Sequence, residues 1–526
     1  MLDKNNKWSE SSTYQAYGGL AGRLPAQRGS RWEVMLLGLI VVRKARRAID
    51  YLKLRWLLLN PISKSVVDEL LERRDGKLKA EELLDAYPQR PRSLSWLSFQ
   101  ASTRILGVVR EGLGDEVGSD EEFALALRKP EIRRMVLNIL LTLQTYGVRQ
   151  PQRFYAPLMI VWNLTWRCNL RCKHCYQSAG ALGGDIGTPE LTLDEKLAAV
   201  DKIAASLIPT LSLSGGEPLI HPHFWPVAEA ARQRGIYLSL NTNGTLITEE
   251  VAERLAALGF AYAGISVDAP SKEYHDSFRG VAGSWDKTVR GIKALAKTSV
   301  LTILSFTITK ENYSRLPQIF GLAEELGMDK VMVYNYIPTG RARDNMDLDL
   351  TPEQREEAFS MMYRYAASGG SLCSTAPQMG RLCAEAGHAE LIPLAHAGPG
   401  RAQDLQILAQ IIGGCGIGRA YLALQPDGRI TPCVYLPDLE IGDIRRDDII
   451  EIWQSNELLE SLASHQGLKG HCGVCEHRAV CGGCRARAYA YFGDFKAPDP
   501  GCINNRDYYY AQQAGALPCD ASAAPR

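Results

Sequence analysis

Three thiols stand close together in Cys168-Asn-Leu-Arg-Cys172-Lys-His-Cys175, spaced x3 and x2 just after the apolar run from Leu158 to Leu164. Such spacing places the three sulfurs on one tight loop leaving a strand. A four-iron cluster normally takes one cysteine per iron. With no fourth cysteine nearby, the loop predicts a [4Fe–4S] cluster that keeps one iron open for another ligand.

A second group crowds the last quarter of the chain: Cys415, Cys433, Cys472, Cys475, Cys481, Cys484 and Cys502. Paired Cys-x2-Cys knuckles also bind zinc. Zinc ribbons, however, separate their knuckles by about 12–20 residues, whereas Cys475 and Cys481 enclose five. Seven cysteines also exceed one tetrahedral site, which favours two Fe–S centres. Between the two groups stands Ser214-Gly215-Gly216-Glu217-Pro218. Its glycines would let backbone amides approach a ligand closely, and Glu217 could hold an ammonium group.

The elements that position these residues follow from periodicity. Short β-rich runs at 158–164, 211–214, 237–240, 261–267, 301–308 and 330–334 alternate with helical stretches. Six βα units in a row predict an α/β fold, a partial (βα)6 TIM-like barrel over 157–340, with reactive groups on the loops after the strands. The helical stretches of 62–150 form an N-terminal region, and Pro61 is expected to close the helix before it. Residues 341–412 read as a helical connector. Residues 413–510 form a Cys-rich domain, entered by a hairpin turning at Pro426-Asp427-Gly428.

In these motifs the chain resembles the radical SAM superfamily. Cys168, Cys172 and Cys175 match its cluster motif, with His174 in the usual aromatic slot, and Gly215-Gly216-Glu217-Pro218 matches its Gly-Gly-Glu-Pro motif. The resemblance implies that the open iron chelates the amino and carboxylate groups of S-adenosylmethionine. Reductive cleavage would then give methionine and a 5′-deoxyadenosyl radical that abstracts a substrate hydrogen. It further implies cofactor contacts from Asn241, Asn243, Ser266 and Asp268, with Thr307 and Thr309 as weaker candidates. A flavodoxin or ferredoxin is the implied electron donor. The C-terminal cysteines resemble the SPASM extension, with x2 rather than the common x3 before Cys484. That resemblance assigns Cys415, Cys433 and Cys484 to one auxiliary cluster and Cys472, Cys475, Cys481 and Cys502 to another. The first is left with an open iron, a non-cysteine ligand, or a distant cysteine such as Cys373 or Cys383; a [2Fe–2S] centre is the other option.

Family frequency favours modification of a peptide or protein. The run Tyr334-Asn-Tyr-Ile-Pro338-Thr-Gly340-Arg341-Ala342 resembles instead the branch that trims tetrapyrrole side chains in alternative haem biosynthesis. A membrane lipid or quinone is a third reading. A non-catalytic Fe–S electron carrier belongs to another class, and it has no use for the Gly-Gly-Glu-Pro turn. His221, His223 and His275 read as structural or solvent-facing rather than as acids or bases.

The net charge of +1 gives no global attraction for nucleic acid. No signal peptide is visible, so reduced thiols in the cytoplasm are expected. Residues 1–31 and the tail 511–526 read as poorly ordered. Residues 32–59 form a basic amphipathic helix. It either contacts the inner face of a membrane peripherally or packs on the protein's own core.

Overall fold

The computed structural model describes residues 61–113, 119–181, 189–388, 391–393 and 413–515. The expected disordered N-terminus, the amphipathic helix 32–59, part of the connector and most of the tail lie outside them.

Ten strands form one sheet: β1 (Met159–Asn163), β2 (Thr210–Ser214), β3 (Tyr237–Thr242), β4 (Phe260–Ser266), β5 (Leu301–Ile308), β6 (Lys330–Asn335), β7 (Leu372–Ser374), β8 (Tyr421–Leu424), β9 (Arg429–Thr431) and β10 (Gly442–Asp443). Their spatial order is β7-β6-β5-β4-β3-β2-β1-β8-β9-β10. The six expected strands lie side by side and parallel, each following its neighbour in sequence. This is the partial barrel expected. Alternate strand residues face the outer helices, and those between them, among them Ser212, Asn241, Ser305 and Thr307, face the barrel interior. Trp162, Leu211, Leu213, Leu238, Leu240, Ile265, Leu304 and Phe306 are all in one core cluster with the outer helices.

Two differences from expectation extend the sheet. The connector is not wholly helical: Leu372–Ser374 pairs in parallel with Val331–Val333 as a seventh strand. Three residues are too few to show a period. The C-terminal hairpin is not free-standing, since β8 runs parallel to β1, with Tyr421 opposite Met159 and Leu424 opposite Trp162. That annexation places Cys415, before β8, and Cys433, after β9, at the end of the sheet where β1 begins, opposite the loop after β1.

The N-terminal region has its own small core of Val66, Leu70, Leu83, Phe123, Leu127 and Leu140. Pro61 is the first residue of the helix Pro61–Leu71; the helix it was expected to close lies outside the described residues. A proline at the first helical position loses no hydrogen bond and has its φ already set. Asn138 Nδ2 ties this region to the barrel through the Ala156 carbonyl at 3.0 Å. Among the described residues, no helix is long and apolar enough to cross a membrane.

Candidate active site

The inner faces of the strands and the loops at their ends line one cavity of about 260 Å³. Cys168, Cys172 and Cys175 are in its wall, and so are Cys415, Cys433 and Cys484. One cavity therefore joins thiols more than 200 positions apart in the chain. Cys472, Cys475, Cys481 and Cys502 are not in that wall. They lie near one another, Cys481 beside Cys502 and Cys472, and Cys475 beside Cys472. The seven C-terminal cysteines thus separate into three that line the cavity and four that do not.

The first cysteine loop is pinned from two sides. Gly216 N–H donates to the Thr165 carbonyl at 2.7 Å and Glu217 N–H to that of Arg167 at 2.8 Å. A Cβ on Gly216 would lie 2.1 Å from the Arg167 carbonyl oxygen. The amides of Gly216 and Glu217 are therefore spent on the cysteine loop rather than on a ligand, and Gly216 is needed there for close approach. From the other side, Arg171 N–H and Lys173 N–H donate to the carbonyls of Arg279 and Phe278, at the end of a helix, Lys272–Arg279, that sequence reasoning missed. His174 stacks on Phe278 with ring centroids 4.6 Å apart. Burial lowers its pKa to about 4, partly offset by the Asp268 carboxylate.

The expected cofactor contacts divide. Gly215, Gly216, Asn241, Asn243 and Ser266 line the cavity, as does Thr307. Glu217, Pro218, Asp268 and Thr309 are buried but outside its wall. Glu217 is fully buried and accepts from Asn243 N–H at 2.8 Å, Thr242 Oγ1 at 2.8 Å and Leu219 N–H at 3.2 Å. It joins the loops after β2 and β3. Burial raises its pKa to about 7, against the pull of these donors. The carboxylate expected to take an ammonium group thus already has three protein donors. Asp268 is likewise committed, its Oδ2 lying 2.6 Å from Arg279 Nη2.

Arg279 also points Nη1 at the Cys172 sulfur, 3.6 Å away. A second arginine in the wall, Arg341, donates to the carbonyls of Cys172 at 2.9 Å and Ala179 at 2.5 Å. Arg279 was not singled out in sequence, and Arg341 only within the run from Tyr334 to Ala342; both lie far from the motifs they support. His221 and His275 have structural partners as expected. His221 Nε2 is 3.0 Å from Glu190, and His275 packs edge-on to Trp285.

The donor set suits iron–sulfur chemistry. Two buried thiols and the half-buried Cys175 meet two polar N–H groups, Leu170 N–H at 3.4 Å from Cys168 Sγ and the Arg279 guanidinium at Cys172. Burial pushes the Cys168 thiol up to about 12, so the thiolates that a cluster requires depend on the metal's own positive charge. Soft thiolates on loops above a partial barrel define a metal-dependent redox enzyme.

Comparison with known proteins specifies that class. The model of the radical SAM superfamily matches residues 162–323, and that of the SPASM iron-sulfur cluster-binding domain matches residues 415–485. The AdoMet-dependent heme synthase of Methanosarcina barkeri is 36% identical over 350 residues, 66% of this chain and 97% of that protein. The pre-heme d1 synthase of Dinoroseobacter shibae is 32% identical over 350 residues, 65% and 85% of the two chains. The mycofactocin maturase of Mycobacterium tuberculosis is 29% identical over 354 residues, 66% and 83%. Among solved structures, Streptococcus suis SuiB superposes with a TM-score of 0.55 at 15% identity, over 82% of this chain and 94% of that one. The chain belongs to the radical SAM superfamily and is an enzyme with a C-terminal SPASM domain. Membership implies a [4Fe–4S] cluster that binds S-adenosylmethionine, and auxiliary Fe–S clusters behind it.

Proposed function

We propose that this enzyme removes a hydrogen atom from a side chain of a tetrapyrrole held in the cavity. The observation that carries the reading is the 36% identity to an AdoMet-dependent heme synthase across 97% of that protein. An Fe-coproporphyrin III synthase of the same organism, 31% identical over 363 residues, supports it. When bound, the first cluster and S-adenosylmethionine supply a 5′-deoxyadenosyl radical.

The chain's own residues hold and shield. Cys168, Cys172 and Cys175 hold the cluster, while Gly215, Gly216, Asn241, Asn243 and Ser266 form the wall against the cofactor. Asn243 is fixed for this role, its Nδ2 donating to Asn169 and its Oδ1 accepting from Thr245. Cys415, Cys433 and Cys484 hold an auxiliary cluster at the opposite side, and Cys472, Cys475, Cys481 and Cys502 hold a second one. Met159, Val161, Ile303, Met332, Ile337 and Val434 make much of the remaining wall apolar, which excludes water from the reacting centre.

A peptide substrate is the second reading, supported by the 29% identity to mycofactocin maturases. The test is anaerobic incubation of reconstituted enzyme with dithionite, S-adenosylmethionine and either Fe-coproporphyrin III or a set of precursor peptides. The tetrapyrrole reading predicts a mass change in the porphyrin matched by 5′-deoxyadenosine. An unchanged porphyrin beside a modified peptide would overturn it.

A further inference from the structure

One buried acidic residue touches both groups of C-terminal cysteines. Asp499 is fully buried in the turn that precedes Cys502. Its Oδ2 accepts from the Cys484 N–H at 2.6 Å, which ties it to the group that lines the cavity. Its own N–H donates to the Cys472 sulfur at 3.4 Å, in the other group. A Cβ on Gly483 would lie 2.8 Å from the Asp499 Cβ and 3.3 Å from the Cys472 sulfur, so a glycine lets these parts close together. The carboxylate also acts electrostatically on Cys481, Cys484 and Cys502.

Its remaining contacts are donors. Gln378 Nε2 donates to Oδ2 at 2.5 Å, Gly501 N–H to Oδ1 at 2.9 Å and Arg487 Nη1 to Oδ1 at 3.4 Å. Such a shell suits an ionised carboxylate, which only accepts. Two arginines as deeply buried stand beside the same cysteines. Arg485 Nη2 is 3.9 Å from the Cys472 sulfur, and the Arg487 guanidinium acts on Cys484. Reduction adds negative charge to an iron–sulfur cluster, so nearby cations raise its potential and nearby anions lower it. The effect is strong in a low-dielectric interior.

We propose that Asp499 is a positioning residue common to both auxiliary clusters: it fixes Cys484 against Cys472, and its charge lowers the reduction potential of each centre. The inference rests on the seven cysteines holding two clusters, not on the identity of the substrate. Asp499 offsets Arg485 and Arg487, so both centres accept electrons less readily than the arginines alone would make them.

The test uses the full chain, reconstituted anaerobically with no substrate present. Iron is counted, and the potential of each cluster is read by redox titration followed by electron paramagnetic resonance. The native enzyme is compared with Asp499→Asn, with Arg487→Gln and with Asp499→Asn combined with Gln378→Glu. The native enzyme should hold about ten to twelve irons per chain. Asp499→Asn should shift both auxiliary potentials upward and leave that of the first cluster in place. Arg487→Gln should shift the auxiliary potentials downward. Opposite signs separate charge from loosened packing, which would admit water and move both variants the same way. The combined variant returns a carboxylate one hydrogen bond away and should bring both potentials back toward native. Loaded Asp499→Asn with unmoved auxiliary potentials, or with only one moved, would overturn the proposal. Shifts of one sign in Asp499→Asn and Arg487→Gln would do the same. Where Asp499→Asn alone fails to load, the downward shift in Arg487→Gln carries the claim, and an upward shift there overturns it. Clusters lost from all three variants would leave only a structural tie, which also contradicts the claim. An iron count of only about four in the native enzyme would remove the auxiliary clusters and the proposal together.

Discussion

Tyr176, the neighbour of Cys175, meets Tyr435, two residues beyond Cys433, edge to face with ring centroids 5.3 Å apart. Through this contact the first cysteine loop and the C-terminal cysteines share one wall. Both rings line the cavity, so shortening one removes wall rather than cofactor ligands. Tyr435→Ala should cost about 1 kcal/mol from the lost aromatic pair. It should keep cleavage of S-adenosylmethionine but lower product formation at least tenfold. The ratio of 5′-deoxyadenosine to product, measured by chromatography, reads this uncoupling.

Gly216 should tolerate no side chain. A Cβ there would meet the Arg167 carbonyl oxygen at 2.1 Å, which forces the cysteine loop away from the turn after β2. Overpacking of this kind costs about 1–3 kcal/mol. Gly216→Ala should therefore melt at lower temperature and lose affinity for S-adenosylmethionine in equilibrium dialysis. Gly321 is the control: it lies in the helix Leu316–Glu325 with open space at its Cβ. Gly321→Ala should raise stability by about 0.5–1 kcal/mol.

The Arg279–Asp268 pair is buried at both ends. Removing one partner of such a pair leaves an uncompensated charge and costs about 3–5 kcal/mol. Arg279→Gln alone should destabilise strongly, while Arg279→Gln with Asp268→Asn should recover part of the loss. A double-mutant cycle by urea denaturation checks it; simple additivity would contradict the pairing.

Glu190 should shape the acid limb of stability. It accepts from Thr165 Oγ1 at 2.7 Å and Trp166 N–H at 2.9 Å, and faces His221. Burial acts to raise its pKa, but these partners prevail and lower it from the ordinary 4.5 to about 2. A carboxyl depressed in the folded state is stabilising above its unfolded value, and that contribution is lost as pH falls from about 4.5 to about 2. Partial exposure reduces the effect to about 1–2 kcal/mol. Melting of Glu190→Gln between pH 7 and pH 2 should show a correspondingly flatter acid limb.

Much of the barrel was legible because each βα unit carries its period locally. The strand expected at 301–308 is Leu301–Ile308. The cysteine groups were legible from spacing. What was not legible depends on contacts distant in sequence. Leu372–Ser374 has no period of its own and becomes a strand only because β6 offers an open edge. The hairpin at Tyr421 was expected, but not its pairing with β1. Glu217 and Asp268 were expected to face the cofactor because their motifs are adjacent to it. Their side chains turn instead to Asn243 and Arg279, whose positions follow from later loops. A basic residue closing a short helix before Gly280 was the available signal for Arg279, though it does not identify the carboxylate it would meet.

The central claim is that Cys168, Cys172 and Cys175 form the reaction centre and the C-terminal cysteines serve a separate step. It is tested most directly by 5′-deoxyadenosine formation in anaerobically reconstituted enzyme given dithionite and S-adenosylmethionine. The native enzyme and Cys475→Ala should both form it, the latter without converting substrate, whereas Cys172→Ala should form none. Undiminished 5′-deoxyadenosine from Cys172→Ala, or none from native enzyme carrying its full iron content, would contradict the account.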